Sequence, residues 1–420
     1  MCSLQHLPIR KQVAEKIIEL RIDKLAGLGD GAGEYEGSKV FIPYTVAGDF
    51  VRARIGKETS DATYATIERI LKPGKGRIDP VCRHFTRCGG CMLQHLDNAL
   101  YFDFKQKMAE EAVRKAGFDM ACVKSIVRFP ANTRRRVDLK VKNGKIGYHA
   151  ERSHKIVDLE DCRVLEPELL ELVMQIKNRL PALPKITAIK INGVDGGYDV
   201  IVDGNDGNNL QVADCPGIKR LSVRNGSVFK AVYQNGEVTL ALGGVTVEVP
   251  PNAFLQASRA AQTAMTDLVK SAVHPAKNVL DLFAGIGTYA FPVSAHAFVT
   301  AIEGDKAMTD AMQKAAEKHG ISDRFKVMER DLFYTPLTKD QLAGYDAVII
   351  NPPRAGAKAQ AERLALSQVA KIVMVSCNPA TFTRDARILK ESGYKLQSLT
   401  PLDQFVYSSH LELVAEFGIL

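Results

Sequence analysis

The stretch VLDLFAGIGTYA, residues 279–290, has the pattern of a strand, a turn and a helix start. An apolar run leads into a glycine-rich turn, and the turn opens a segment that can form a helix. Gly285, Gly287 and Ala290 satisfy the spacing G-x-G-x-x-G/A. Around this stretch, apolar runs alternate with amphipathic segments, which is typical of a doubly wound parallel sheet. The sequence therefore predicts an α/β, Rossmann-like domain over residues 251–420.

Two acidic residues near the turn bear on the ligand that it binds. Glu303 ends the next predicted strand eighteen residues after Gly285, as the acid of a dinucleotide-binding fold does. Asp281 lies four residues before Gly285, where it would repel a pyrophosphate. The D-x-F-x-G-x-G form resembles S-adenosylmethionine-dependent methyltransferases, whose ligand carries no pyrophosphate. We therefore predict S-adenosylmethionine as the cofactor and keep a nicotinamide-dependent oxidoreductase as the alternative.

The N-terminal part of the chain has a different pattern. Ile18, Leu20 and Ile22 alternate with polar residues, and further short β-like runs follow between glycine-rich turns. This spacing predicts a five-stranded, OB-like β-barrel over residues 13–73, a shape that often binds oligonucleotides. Residues 74–250 mix a helical segment with more strands, so we expect a central α+β domain there.

Composition and charge limit the class of protein. Hydrophobic residues make up 46% of the 420 positions, and the net charge is +8. The N-terminus lacks the apolar core of a signal peptide, and we find no bilayer-spanning segment, so we expect a cytoplasmic protein without a membrane partner. Between residues 124 and 155, ten Lys and Arg face only two acidic residues. We predict that the triple arginine at 134–136 contacts nucleic-acid phosphates, with a solvated face as the alternative.

Three cysteines lie within the segment CRHFTRCGGC, as Cys82, Cys88 and Cys91. Thiols stay reduced in the cytoplasm, so this crowding predicts a metal centre rather than disulfides. A fourth ligand is needed, and the sequence offers three candidates, which are Cys122, Cys162 and Cys215. Four thiolates can hold zinc or an iron–sulfur cluster. The asymmetric three-plus-one spacing differs from paired zinc knuckles and favours a cluster.

A fourth motif, VMVSCNPATFTRD, places Cys377 just after a predicted strand, where ligands bind in open α/β sheets. Methylation of uracil at C5 requires such a thiol, because C5 becomes nucleophilic only after a thiolate has added to C6. A base must then remove the C5 proton so that the thiol can leave. Glu412, on the last predicted strand, is the candidate base. Arg354 in NPPRAG replaces the aromatic residue that amino-nitrogen methyltransferases use to stack a base.

Together these motifs resemble the RNA uridine-5 methyltransferases of the ribosomal-RNA type. The segments CRHFTRCGGCMLQH, DLFAGIGT, NPPRAG, SCNPATFTRD and HLE occur in the order of that family, and the resemblance covers essentially the whole chain. It implies a TRAM-type barrel at 13–73, a central iron–sulfur domain at 74–250 and a methyltransferase domain at 251–420. It also implies that Cys377 is the nucleophile and that Glu412 is the base.

The resemblance further implies the ligand-binding residues. It selects Cys162 as the fourth ligand of a [4Fe–4S] cluster. The cofactor contacts that it implies are Gln256, Phe283, Thr288, Glu303, Asp331 and Asn351. Asn351 departs from the family, which usually has Asp there, and the change removes a carboxylate beside a cationic ligand.

The predicted partner is RNA, specifically 23S ribosomal RNA, and we expect a monomer. Besides the nicotinamide-dependent oxidoreductase, two alternatives stay open at this point. One is the same chemistry on transfer RNA, and the other is a non-catalytic iron–sulfur protein that binds RNA.

Overall fold

The computed structural model describes residues 16–212, 215 and 217–419, so positions 13–15 of the predicted barrel lie outside the described part. The chain forms two compact units. Among the described residues, one contains 16–80 and 92–101, and the other contains 81–91, 102–212, 215 and 217–419. Within the described residues, no helix combines the length and apolar character that crossing a bilayer requires.

The first unit contains a six-stranded sheet, one strand more than predicted. Its strands are β1 (Ile17–Arg21), β2 (Lys24–Leu25), β3 (Gly31–Tyr35), β4 (Ser38–Ile42), β5 (Phe50–Glu58) and β6 (Thr63–Lys72). The spatial order is β1-β5-β6-β4-β3-β2. Ile18 and Leu20 are buried while their neighbours in β1 are exposed, which confirms the predicted alternation. These side chains build a small core with Val40, Ile42 and Val51.

The second unit contains a seven-stranded sheet in its middle. A short strand, β7 (Val127–Arg128), comes before it in the chain. The sheet strands are β8 (Arg136–Lys142), β9 (Lys145–His149), β10 (Ile156–Asp158), β11 (Ile186–Val194), β12 (Gly197–Gly204), β13 (Ile218–Asn225) and β14 (Val228–Gln234). They lie in the order β10-β9-β8-β11-β12-β13-β14, and only the β12–β13 pair is parallel.

Two helices and a hairpin complete the elements before the third sheet, namely α1 (Asn98–Ala116), α2 (Pro167–Arg179), β15 (Thr239–Leu242) and β16 (Val245–Glu248), and α2 packs on the seven-stranded sheet. In α2 the buried residues are Leu169, Leu172, Val173 and Ile176, which repeat at the spacing of one helix face. This stripe belongs to the same core as Leu139 and Ile189 of the sheet. Burial of the apolar face therefore fixes the helix on the sheet.

The third sheet carries the candidate site. Its own strands are β17 (Asn278–Leu282), β18 (Phe298–Glu303), β19 (Phe325–Glu329), β20 (Ala347–Ile350), β21 (Lys371–Ser376), β22 (Lys395–Asp403) and β23 (Glu412–Gly418). The order is β19-β18-β17-β20-β21-β23-β22-β7. Strands β17 to β21 are mutually parallel, whereas β23 runs antiparallel to both of its neighbours. The predicted doubly wound sheet is confirmed.

Helices alternate with these strands, as the sequence pattern predicts. They are α3 (Arg259–Val273), α4 (Ala290–Ser294), α5 (Lys306–Lys318), α6 (Lys339–Leu342), α7 (Lys358–Ser367) and α8 (Pro379–Glu391). Capping side chains fix several of their starts. Asp305 accepts backbone hydrogen bonds at the first turn of α5, and Asn378 does so at α8, directly after Cys377. The α8 cap therefore also fixes the turn that carries the candidate nucleophile.

Candidate active site

One edge of the third sheet carries five of the predicted catalytic and cofactor-binding residues. The carboxyl ends of parallel strands meet at the same edge, which is where open α/β sheets bind their ligands. Phe283 follows β17, Glu303 ends β18, Asn351 follows β20 and Cys377 follows β21. Asp331 comes two residues after β19. Topology thus brings five predicted residues to one edge.

Cys377 and Glu412 occupy facing positions on neighbouring strands. Ser376 pairs with Leu413 in the antiparallel β21–β23 register, so the next facing positions are Cys377 and Glu412. Because β23 is antiparallel, its first residue lies at the edge where β21 ends. Cys377 is half-buried, while Glu412 is only 4% exposed. The predicted nucleophile and the predicted base therefore lie side by side.

The environment of Glu412 suits a group that exchanges protons near neutral pH. Burial raises the pKa of Glu412 to about 7, although Gln404 and the Arg354 charge oppose the shift. The amide Nε2 of Gln404 donates to Oε1 of Glu412 at 2.8 Å. A carboxyl with such a pKa can accept and release a proton at physiological pH.

The Cys377 thiol is held by opposing effects. Burial and the Glu412 charge raise the pKa of Cys377 to about 11, whereas Arg354 lowers it. A neutral Glu412 removes one of the two raising causes, so the titrations of the two groups are coupled. The Arg354 guanidinium also lies 3.0 Å from Nδ1 of His410. Burial and the Arg354 charge lower the pKa of His410 to about 4, so the neutral imidazole can accept this bond.

Gln404 was missed by the sequence reasoning, although it connects two predicted residues. Its Nε2 donates to Oε1 of Gln256 at 2.9 Å as well as to Glu412. Its Oε1 accepts a 3.2 Å hydrogen bond from the backbone N–H of Ala257. All of these polar groups are buried. Gln404 carries no motif of its own, and its proximity to Glu412 depends on the β22–β23 pairing.

The glycine-rich turn forms a cradle at the same edge. Phe283 and Gly285 have φ values of 61° and 59°, so both lie in the left-handed region that glycine adopts most easily. A Cβ added at Gly285 would meet no atom within 4 Å, so open space lies beside the turn. The backbone N–H of Gly285 donates to Glu303 at 2.9 Å. The second carboxylate oxygen of Glu303 accepts from the N–H groups of Gly304 and Asp305.

Two features of this cradle fit a cationic ligand with an aromatic base. Burial and the Glu303 charge raise the pKa of Asp281 to about 8, although the backbone N–H of Ala290 opposes the shift. Positive charge beside this buried carboxyl would favour its ionised form. The rings of Phe283 and Phe333 lie 5.3 Å apart, next to Asp331. Thr288 is half-buried in the turn itself. S-adenosylmethionine, with a sulfonium and an adenine, matches these groups.

The predicted metal-ligand cysteines are linked through electrostatic effects. Burial raises the pKa values of Cys88 and Cys162, and Cys82 raises both further. Burial raises the pKa of Tyr148, and the Cys162, Cys88 and Cys91 charges add to this shift. All four sulfurs therefore lie within electrostatic reach of one another or of one ring. Cys122 and Cys215 are not among these causes.

Backbone N–H groups point at two of these sulfurs. Gly90 donates to Sγ of Cys88 at 3.4 Å, and the N–H groups of Val164 and Leu165 lower the pKa of Cys162. Gly89 bonds to the His149 carbonyl at 3.0 Å, which leaves a side chain there little room. Donors of this kind stabilise thiolate-bound clusters. Across residues 16–212, 215 and 217–419, no three His, Cys, Asp or Glu side chains converge tightly enough for a single metal ion.

The prediction that the triple arginine contacts phosphates is wrong for Arg135. This side chain is only 1% exposed. Its Nε donates to the Gln256 carbonyl at 3.1 Å, and its Nη2 donates to Oε1 of Gln262 at 2.6 Å. The Arg136 guanidinium stacks 4.0 Å above the Phe254 ring. Arg135 therefore supports the segment that carries Gln256, since its backbone N–H also donates to the Ala257 carbonyl at 2.9 Å.

Comparisons with known proteins identify the family. Residues 228–416 match the family model described as tRNA (Uracil-5-)-methyltransferase. An uncharacterized RNA methyltransferase of Rhizobium meliloti (strain 1021) is 36% identical over 413 residues, which is 94% of this chain and 97% of the relative. The chain belongs to the RNA uracil-5-methyltransferase family. It is therefore an RNA methyltransferase that uses S-adenosylmethionine, and the nicotinamide alternative is wrong.

Two further proteins similar to this RNA methyltransferase have named activities. The 23S rRNA (uracil(1939)-C(5))-methyltransferase RlmD of Pectobacterium atrosepticum is 28% identical, over 97% of this chain and 95% of the relative. The structure of the Pyrococcus abyssi tRNA (uracil-54, C5)-methyltransferase with S-adenosyl-L-homocysteine superposes with a TM-score of 0.74. It shares 21% identity and covers 95% of this chain and 100% of that chain, so it shows the methyltransferase fold.

Proposed function

We propose that this RNA methyltransferase forms 5-methyluridine by covalent catalysis, with Cys377 as the nucleophile and Glu412 as the base. One observation carries the proposal, namely the facing positions of Cys377 and Glu412 at the edge that also holds Glu303 and Asn351. A nucleophile and a base on adjacent strands can act on C6 and C5 of one pyrimidine ring.

The proposed steps divide the work between the two residues. The Cys377 thiolate adds to C6, which forms an S–C6 bond and turns the C4–C5 side of the ring into an enolate. S-adenosylmethionine supplies the methyl group that C5 takes up. Glu412 then accepts the C5 proton, the C5–C6 double bond forms again, and the S–C6 bond breaks to release Cys377. Proton removal by a carboxylate with a pKa of about 7 is effective at neutral pH.

The proposed cofactor-binding residues are those that the family resemblance implies. In this proposal Glu303 accepts the ribose hydroxyls, and Phe283 and Asp331 border the space for the adenine. Gln256, Thr288 and Asn351 complete the set that the sequence predicts. Asn351 offers an amide in place of a carboxylate. We therefore add Asp281, which the sequence prediction did not include, as the acid beside the cationic end.

We further propose that Cys82, Cys88, Cys91 and Cys162 hold a [4Fe–4S] cluster. A four-iron cube is larger than one ion, so it separates its thiolates more widely than zinc does. Four protein ligands leave no open iron, which fits a structural or RNA-binding role. The reduced thiols that such a cluster needs agree with the cytoplasmic location predicted from the sequence.

The proposed substrate is 23S ribosomal RNA, supported by the full-length similarity to RlmD. Transfer RNA is the second candidate, since the matching family model carries that description. Incubation with S-adenosylmethionine and either transcript, followed by mass mapping, tests both. We expect 5-methyluridine in the 23S transcript. Methylation of transfer RNA alone would overturn the substrate but keep the chemistry, and a product other than 5-methyluridine would overturn the chemistry.

A further inference from the structure

A basic hollow lies on the seven-stranded sheet, and the proposed chemistry does not use it. Its volume is about 520 Å³. The polar residues that line it are Lys142, Asn143, Lys145, Ser153, His154 and Lys155. We propose that this hollow binds the phosphate backbone of the substrate RNA, at nucleotides some distance along the RNA from the modified uridine. This inference rests on the proposed function, because it takes the bound RNA to be the substrate.

The turn between β8 and β9 places two lysines opposite each other on neighbouring strands. Asn143 and Gly144 both have positive φ, at 52° and 73°, as a tight two-residue hairpin turn requires. Lys142 and Lys145 are therefore a direct cross-strand pair. Like charges in this arrangement destabilise a sheet. An anion bound between the two ammonium groups would turn this local cost into attraction.

The charges of the hollow are not neutralised within the described residues. No ion pair involves Lys142, Lys145 or Lys155 there, and the three side chains are exposed. The acids of adjoining segments have other partners, since Asp158 lies 3.0 Å from Lys177 and Glu151 lies 3.5 Å from Arg152. No acidic side chain lines the hollow. Its potential is therefore strongly positive.

Backbone hydrogen bonds hold the far side of the hollow in place. The N–H of Ala150 donates to the Lys155 carbonyl at 2.7 Å, and the N–H of Lys155 donates to Oγ of Ser153 at 3.1 Å. The ring of His154 packs edge-on against His149 with centroids 5.7 Å apart. A loop fixed in this way loses little entropy when it binds.

The extent of the hollow favours a polymer over a single anion. Lys145 and His149 are the first and last residues of strand β9. His149 pairs with Ile156, which is next to Lys155. Four residues of strand span about 13 Å. Positive charge is thus placed at both ends of an arc, which suits successive phosphates of an RNA chain. The exposed imidazole of His154 adds a surface on which a base can stack.

A triple substitution tests the proposal. We expect the combined substitutions Lys142→Gln, Lys145→Gln and Lys155→Gln to make the dependence of RNA binding on salt less steep. The negative slope of log K for RNA binding against log[salt] should shrink in magnitude by about 2, since each contact to a single strand contributes about 0.7. Binding of a long 23S fragment should weaken at least tenfold at low salt, while the maximal methylation rate at saturating RNA stays unchanged. Replacing the three lysines with arginine should preserve the wild-type affinity and slope.

A matched triple provides the control. Lys277→Gln, Lys314→Gln and Lys395→Gln remove the same charge from exposed positions outside the hollow. If the two glutamine triples have equal slopes, the hollow contributes only general charge and the proposal is overturned. Failure of the proposed function gives a different result, because the wild-type protein would then make no 5-methyluridine in any RNA.

Discussion

The side-chain amide of Gln404 lies 2.8 Å from the carboxylate of Glu412 and holds it in position. Gln404 follows strand β22, and Glu412 begins β23, so the hydrogen bond joins two neighbouring strands at the site edge. The same amide contacts Gln256 at 2.9 Å, which connects the proposed base to a proposed cofactor residue. The base is therefore oriented by a buried amide rather than by a second charge.

We expect Gln404→Met to move the proton-removal step to higher pH. Gln404 lowers the pKa of Glu412, so its loss raises that pKa further above about 7. The ionised fraction of the base then falls at any given pH near neutrality. After a pH jump, a pre-formed methylated protein–RNA adduct should decay more slowly, with its acid limb shifted upward. Gln397→Met on β22 is the control. If the acid limb of the pH profile for adduct decay is the same in Gln404→Met and Gln397→Met, the assignment is contradicted.

The Lys105–Asp403 pair should dominate the stability of the segment before Glu412. The two side chains are 2.7 Å apart and almost fully buried, and Lys105 also donates to the His410 carbonyl. Lys105→Met leaves the Asp403 charge buried and should cost about 3–5 kcal/mol in urea unfolding. Lys105→Met with Asp403→Leu should recover most of this loss.

Lys107 offers a matched control on the same helix. It lies 2.7 Å from Asp103, but both side chains are more than half exposed. Lys107→Met should therefore cost less than about 1 kcal/mol. Equal losses for Lys105→Met and Lys107→Met would show that burial of the first pair carries no special weight.

Asp281 should make the protein less stable as the pH rises from 7 to 8. Its pKa is raised to about 8 in the folded chain, above the unfolded value of about 3.9, so the folded state binds more protons in this window. The stabilising contribution of Asp281 is complete at pH values below the unfolded pKa. It decreases by up to about 1.4 kcal/mol per pH unit as the pH rises toward the folded pKa. Asp281→Asn should flatten this dependence in urea unfolding, while Asp267→Asn should leave it intact.

Anaerobically purified protein should contain iron and acid-labile sulfide in the ratio of a [4Fe–4S] cluster. Changing any of Cys82, Cys88, Cys91 or Cys162 to Ser should remove most of the iron, because each supplies one thiolate. Cys122→Ser and Cys215→Ser are the controls, and neither should change the iron content. Stoichiometric zinc without iron would contradict the cluster.

The sequence predicted the parts of this protein that depend on local pattern. Strand–helix alternation and the turn at Gly285 were enough for the sheet. Motif order selected Cys377 and Glu412 as candidates, and the β21–β23 register brings these two positions together. The role of Arg135 was predicted wrongly, because a run of charges does not reveal which side chain a strand turns inward. Gln404 was missed for a related reason, since only the β22–β23 pairing brings it to Glu412.

Covalent catalysis by Cys377, with Glu412 as the base, is best tested by denaturing electrophoresis. The variants Glu412→Gln and Cys377→Ala are each incubated with S-adenosylmethionine and RNA beforehand. Glu412→Gln keeps the nucleophile and the shape of the base but cannot accept the C5 proton. A methylated protein–RNA adduct should accumulate, since losing a general base typically slows a step by about a hundredfold to ten-thousandfold. Cys377→Ala should give neither adduct nor product. Formation of 5-methyluridine by Cys377→Ala, or normal turnover without adduct by Glu412→Gln, would contradict the assignment.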